Sequence, residues 1–230
     1  MSRVNVTINE CCYADCVKMN GRFHFGYCIR IAGPSQCGKT VTLVKLLKQK
    51  TNFFPHPPKR IMWITGSPVR DEALENEILL HYPDSQFFHE IPHNLNELIH
   101  PYDFWIFDDM SAELKNNTCF TNFFTKTAHH CQCLMAYLTQ NAYEPGKDAT
   151  TRSRNCAYQI FFNNKADVRW VSVLGQQLLN NSKQFSNLFH HATKEPYSCL
   201  LVDNRATTPS HEQFIGDAFT ENPYFIVPHK

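Results

Sequence analysis

Residues 33–40 read GPSQCGKT, a full match to G-x-x-x-x-G-K-[ST]. No other stretch constrains the fold as tightly, because the pattern has meaning only where a strand leads in and a helix leads out. Both flanks are present. FHFGYCIRIA (23–32) is aromatic and β-branched and reads as a strand. In TVTLVKLLKQK (40–50) the apolar residues at 41, 43, 44, 46 and 47 make a helical face. The spacing follows from the chemistry. Gly33 and Gly38 let the backbone fold tightly, so that N–H groups point at phosphate oxygens. Lys39 reaches the terminal phosphates, the Thr40 hydroxyl is a Mg²⁺ ligand, and the helix N-terminus adds partial positive charge. The expected cradle is Gly33, Pro34, Ser35, Gln36, Cys37, Gly38, Lys39, Thr40 and Val41. A helix N-terminus lowers thiol pKa, so alkylation of Cys37 is expected to block nucleotide binding.

Further strands are expected at RIMWITGS (60–67), SQFFHEI (85–91), YDFWIFDDM (102–110), CQCLMAYLTQNAY (131–143), CAYQIFFNN (156–164) and YSCLLVDNR (197–205). Helical patterns lie at 71–82, 93–100, 111–130 (in two pieces) and 167–191. EPGKDATTRSRN (144–155) reads as a polar loop. Strands alternating with helices imply parallel βαβ units and a helix-covered sheet. One α/β domain accounts for residues 22–205. Residues 1–21 are expected as an irregular N-terminal segment and 206–230 as a tail that docks as loop.

A phosphate loop needs an acidic partner at the end of another buried strand. Asp108 follows the apolar run DFWIF and is placed to hold Mg²⁺ through water. Asp109, one residue on, can orient or deprotonate an attacking water. The 131–143 strand ends in Thr139, Gln140 and Asn141, and an amide there can both donate and accept at a γ-phosphate. Arg152 and Arg154 are two candidates for an arginine supplied to a neighbouring subunit's phosphoryl group.

Charge excludes some function classes. Lys plus Arg is 22 and Asp plus Glu is 21, so there is neither a basic coat for nucleic acid nor an acidic tail. Any DNA contact must be local, and Lys115, Lys147, Arg152 and Arg154 are the candidates. No apolar run approaches the roughly 18 residues of a membrane span. The first ten residues lack the apolar core of a signal peptide. Ten cysteines, several inside apolar runs, then suggest a reduced, intracellular protein with thiols packed as small hydrophobes. Neither Cys11-Cys12-Cys16 nor His129-His130-x-x-Cys133 gives two well-spaced zinc-ligand pairs.

Taken in order, GPSQCGKT, WIFDDM, YLTQNAY, the RSRN run, YQIFFNN and YSCLLVD resemble the viral genome-packaging ATPases of the FtsK/HerA superfamily. The poxvirus-type enzymes and their counterparts in adintoviruses and Maverick/Polinton elements are the nearest in pattern, over about residues 23–205. The resemblance implies a P-loop NTPase of the ASCE (RecA-like) class, with a mainly parallel central sheet flanked by helices. It implies ATP and Mg²⁺ as cofactors. It also implies an ATP-driven motor that moves double-stranded DNA into a preformed capsid, working as a homo-oligomeric ring beside capsid or portal-vertex proteins. The host nucleus or cytoplasm, and the virion, are the implied locations. By residue, Lys39 and Thr40 match the phosphate and Mg²⁺ ligands, Asp108 the Mg²⁺-associated acid, Asp109 the water-polarising one and Gln140 the polar sensor. Asn155 matches the asparagine that follows the family's arginine, and the spacing leaves Arg152 and Arg154 both open. A superfamily-three helicase is the alternative, but its nucleotide motifs lie closer together than Lys39 and Asp109. A nucleotide-dependent kinase would need an Arg-rich lid, which the sequence does not show.

Overall fold

The computed structural model describes residues 6–8, 11–14, 19, 21–92, 95, 97–98, 101–110, 113, 118–143, 146–166 and 168–228, with backbone alone for 6–8, 11–14 and 119. Eleven described strands form one sheet: β1 (Val6–Ile8), β2 (Cys11–Ala14), β3 (Cys28–Ala32), β4 (Ile61–Thr65), β5 (Gln86–Phe88), β6 (Phe104–Asp108), β7 (Leu134–Thr139), β8 (Tyr158–Phe162), β9 (Cys199–Asp203), β10 (Phe214–Gly216) and β11 (Tyr224–Pro228). Their order is β1-β2-β11-β10-β9-β8-β3-β7-β6-β4-β5. From β8 to β5 every neighbouring pair is parallel. From β8 to β1 every pair is antiparallel.

The central strands are buried along their length, as strands covered on both faces must be. Side chains alternate between the two faces. Ile29 and Ile31 of β3 pack with Leu43, Val44, Leu46 and Leu47 of α1 (Lys39–Lys48). The short α2 (Lys50–Phe53) and α3 (Glu72–His81) extend that layer through Phe53 and Ile78. On the other face Cys28 joins Trp105, Phe107, Met135 and Tyr137 beneath Phe120, Phe123, Phe124 and Ala128. Those last four come from α4 (Thr118–Asn122), a π-helical turn (Phe123–Thr127) and α5 (Ala128–His130). Farther along this face Ala32, Phe161, Leu200 and Val202 are covered by the hairpin of α7 (Arg169–Leu179) and α8 (Ser182–Ala192). The chain turns between α7 and α8 at Asn180, which holds φ 52.

Three expectations change. The 144–155 stretch is not a loop: α6 (Lys147–Asn155) occupies most of it, with Asp148 in its first turn and Arg152 and Arg154 in its last, both favourable to the helix dipole. Only Ala149 and Arg152 of α6 are buried, so it shows no apolar stripe. The N-terminal stretch expected as irregular contains β1 and β2. The tail expected as loop contains β10 and β11, and β11 pairs with β2. The helical turn expected at 93–100 and most of 111–117 lie outside the described residues.

Candidate nucleotide site

β3 delivers the chain to the loop with no slack. The Gly33 N–H donates to the Thr139 carbonyl at 3.1 Å. A Cβ on Gly33 would stand 2.7 Å from Cys37 Sγ and from Phe162 Cβ, so only glycine fits. Gln36 (φ 62) and Gly38 (φ 102) take left-handed conformations, which turn successive N–H groups into one concavity. Gly38 then caps α1. Lys39 Nζ donates to the carbonyls of Gly33 and Pro34, each at 2.8 Å, so the loop closes around the ammonium. The lowered thiol pKa expected at Cys37 is opposed by its burial. Burial pushes its thiol up, outweighing Lys39 and the backbone hydrogen bonds that pull it down.

Thr40 and Asp108, 68 residues apart in sequence, meet across the sheet edge. Thr40 Oγ1 donates to Asp108 Oδ2 at 3.3 Å. Burial pushes the Asp108 carboxyl up to about 6; neighbouring Asp109 adds to the rise, while Thr40 and Lys39 oppose it. A hydroxyl and a half-buried carboxylate facing each other are hard oxygen donors, and this set fits Mg²⁺.

Asp109 is exposed at the end of β6 with φ 52. Its conformation depends on Gly66, just after β4. The Gly66 N–H donates to the Asp108 carbonyl at 3.0 Å, and a Cβ on Gly66 would strike the Asp109 carbonyl. Sequence reasoning passed over Gly66, although a glycine ending a buried strand was a visible signal. Gln140 is exposed where β7 ends, and β7 lies between β3 and β6, so its amide emerges between the two motif strands.

Arg30 was also missed. It sits mid-strand in β3, 1% exposed, between the two clusters on its face. It donates to Ser153 Oγ at 2.7 Å, to the Asn141 carbonyl at 3.1 Å and to the Ala142 carbonyl. It thereby fastens the turn after Gln140 to α6. A charged residue inside CIRIA was the signal, since a buried cation must be hydrogen-bonded.

The two candidate arginines part company. Arg152 is 2% exposed and donates to Thr121 Oγ1 of α4 at 3.3 Å, so it is turned into the molecule. Arg154 and Lys147 are exposed on the same helix. Lys115 and Cys16 lie outside the described residues, as do the side chains of Cys11 and Cys12. The structure thus gathers Lys39, Thr40 and Asp108, sets Asp109 and Gln140 on adjoining strand ends, and withdraws Arg152. A cleft of about 900 Å³ runs from the phosphate loop and Val41 along the start of α1 to Tyr197, Asp217 and Asn222.

No protein-family model matches the chain, and no curated protein matches its sequence. Solved structures do. The DNA-packaging ATPase B204 of Sulfolobus turreted icosahedral virus superposes with a TM-score of 0.54 at 13% identity, covering 81% of this chain and 96% of that one. The genome-packaging NTPase B204 of Sulfolobus turreted icosahedral virus 2, in complex with AMPPCP, gives 0.54 at 14% identity, covering 80% and 95%. The same protein in complex with AMP gives 0.52 at 14%, covering 79% and 94%. The parallel sheet, the loop that closes on Lys39 and these superpositions agree: the chain has the P-loop ATPase fold found in viral genome-packaging ATPases.

Proposed function

We propose that this chain is an ATP-driven motor that moves double-stranded DNA into a preformed capsid. The observation that carries the reading is the meeting of Lys39, Thr40 and Asp108 at one sheet edge, within a fold shared with packaging ATPases. Phosphoryl transfer needs mostly positioning and charge stabilisation. Lys39 exchanges its two loop carbonyls for phosphate oxygens. Asp109 orients the attacking water and accepts its proton. Gln140 contacts the γ-phosphate. Thr40 and, through water, Asp108 would hold Mg²⁺, which supplies charge neutralisation at the phosphate oxygens.

Arg154, exposed at the end of α6, is the finger offered to a neighbouring copy, and Arg152 braces the helix that carries it. Loss of the γ-phosphate releases Gln140. The adjoining turn is tied through Arg30 to α6, so the release shifts the helix that bears the finger Arg154 and Lys147, the proposed DNA-facing group. Near-neutral charge leaves one copy with weak DNA affinity, and a ring supplies the rest by multivalency. Capsid or portal-vertex proteins are the proposed docking partners. The host nucleus or cytoplasm, and the virion, are the proposed locations.

The test is ATPase rate against added duplex and single-stranded DNA, with Lys39→Ala as control. Duplex stimulation that vanishes in Lys39→Ala is expected. Stimulation by single strands alone, accompanied by unwinding, would replace the packaging reading with a helicase one.

A further inference from the structure

Tyr197 combines two properties that the core does not explain. It is 75% exposed, yet its backbone holds φ 64, a conformation costly for a bulky residue. Its ring is not turned away from the molecule. Ring carbon Cδ1 lies 3.6 Å from where a Cβ on Gly38 would stand, so the ring reaches over the start of α1.

Topology explains how it arrives there. β9 runs opposite to β8, so the residues just before β9 stand at the phosphate-loop edge of the sheet. β10 runs opposite to β9, so the loop after Gly216 returns to that same edge. Tyr197, Asp217, Phe219, Thr220 and Asn222 therefore line one cleft with Lys39, Thr40 and Val41. Val41 is 71% exposed, and Phe219 is buried beneath. The Thr220 N–H and hydroxyl both donate to the Asp217 carbonyl, at 2.9 and 2.8 Å, which fixes the loop. One end of the cleft is cationic and rich in N–H groups. The other end offers an aromatic face, a carboxylate from Asp217 and an amide from Asn222, and the exposed Val41 side chain adjoins the phosphate-loop end. A flat, polar-edged heterocycle joined to a phosphate chain matches both ends.

We propose that Tyr197 is the stacking platform for the purine base of the nucleotide held by the phosphate loop. This rests on the nucleotide reading of that loop and assigns the base end of the same site. Asp217 and Asn222 supply the hydrogen-bonding atoms at the edge of the base. The strained backbone at Tyr197 is what aims the ring into the cleft.

The experiment compares calorimetric affinities for ATP and for inorganic tripolyphosphate, which has the phosphates and no base. The proteins are the full chain, Tyr197→Phe, Tyr197→Ala, Tyr197→Gly and Lys39→Ala. Stacking on one aromatic ring predicts that Tyr197→Ala binds ATP roughly tenfold or more weakly. Tripolyphosphate affinity should stay within about twofold, because its contacts are untouched. Tyr197→Phe should keep ATP affinity. Tyr197→Gly accommodates the positive φ and removes only the ring, so it should reproduce the alanine result with the loop conformation preserved. ATP affinity unchanged in both ring-less variants, or tripolyphosphate affinity falling in step with ATP, overturns the proposal while Lys39→Ala still loses both ligands. A wild-type chain that binds neither ligand overturns the phosphate-site reading as well.

Discussion

The two halves of the sheet are built on opposite plans. The parallel half, β8-β3-β7-β6-β4-β5, ends its strands together at one edge and places Lys39, Thr40, Asp108 and Gln140 there. Its central strands are mostly apolar and buried on both sides, Arg30 being the charged exception, and its chemistry is polar groups at strand ends. The antiparallel half, β9-β10-β11-β2-β1, is stitched from the later part of the chain and its first residues. It is fastened at the far edge by ionic contacts. Asp203, with no exposed side-chain surface, accepts from Arg22 at 3.0 Å and from Arg205 at 2.8 Å, and Arg22 also reaches Glu212 at 3.1 Å. The contrast teaches that the phosphate end of the cleft is made by one half of the sheet and its other end by the other half.

The largest expected effect lies in the antiparallel half. Asp203→Ala strands the largely buried Arg205 guanidinium and leaves Arg22 with Glu212 alone, and should cost about 3–5 kcal/mol in a denaturant titration. Tripolyphosphate affinity of the folded protein should not change; if it does, the halves are not separable. Burial alone would raise the Asp203 carboxyl, but the hydrogen bonds and charge of Arg205 bring it below its ordinary 3.8. Its stabilisation is therefore present above that value and is lost as pH falls through the lower folded value. Acid unfolding of the wild type should steepen below about pH 4, and the alanine variant should lack that limb.

The next effect belongs to the parallel half. Gly66→Ala pushes the Asp109 carbonyl aside and should lower kcat about a hundredfold, as a misplacement of about 1 Å does. ATP affinity measured by calorimetry should barely move, and an equal loss in both quantities would remove Asp109 from the chemistry. Arg30→Met frees the turn after Gln140 from α6. About a tenfold loss of DNA-stimulated turnover is expected, with stability altered by only about 1 kcal/mol. A variant that keeps its DNA stimulation would cut the link between the sensor turn and α6.

The smallest effect reverses the sign seen at Asp203. Burial raises Asp108 to about 6, so the protonated carboxyl favours the fold at low pH, and that contribution is lost as pH rises through about 6. Mg²⁺ needs the ionised form. Its affinity for the nucleotide complex should fall by up to about tenfold per pH unit below 6 and level off above. Asp108→Asn should flatten the profile.

The same contrast sets what was legible in the sequence. GPSQCGKT and the Asp108 strand end are contiguous, and each carries its chemistry within a few residues. The helix holding Arg154 was illegible because eight polar or charged residues surround Ala149, leaving no periodic stripe. β10 and β11 have three and five residues, and they are strands because of the partners they meet, β9 beside β10 and the distant β2 beside β11, rather than internal pattern. Tyr197 had no local signal at all. Its place depends on β9 reversing direction, which follows from the α7–α8 hairpin.

The pairing of β2 with β11 also governs the order of events in folding. Cys11 faces Pro228 in that register, and Ala14 faces Phe225. Such a pairing closes a loop that spans nearly all the described residues, so its entropy cost comes late and it contributes little to any early nucleus. During synthesis β2 must wait until the C-terminal strands emerge, its hydrogen-bonding edge unmatched. The parallel half can consolidate in the meantime from closer contacts. A chain assembled this way would acquire its phosphate grip first and the other wall of its cleft last.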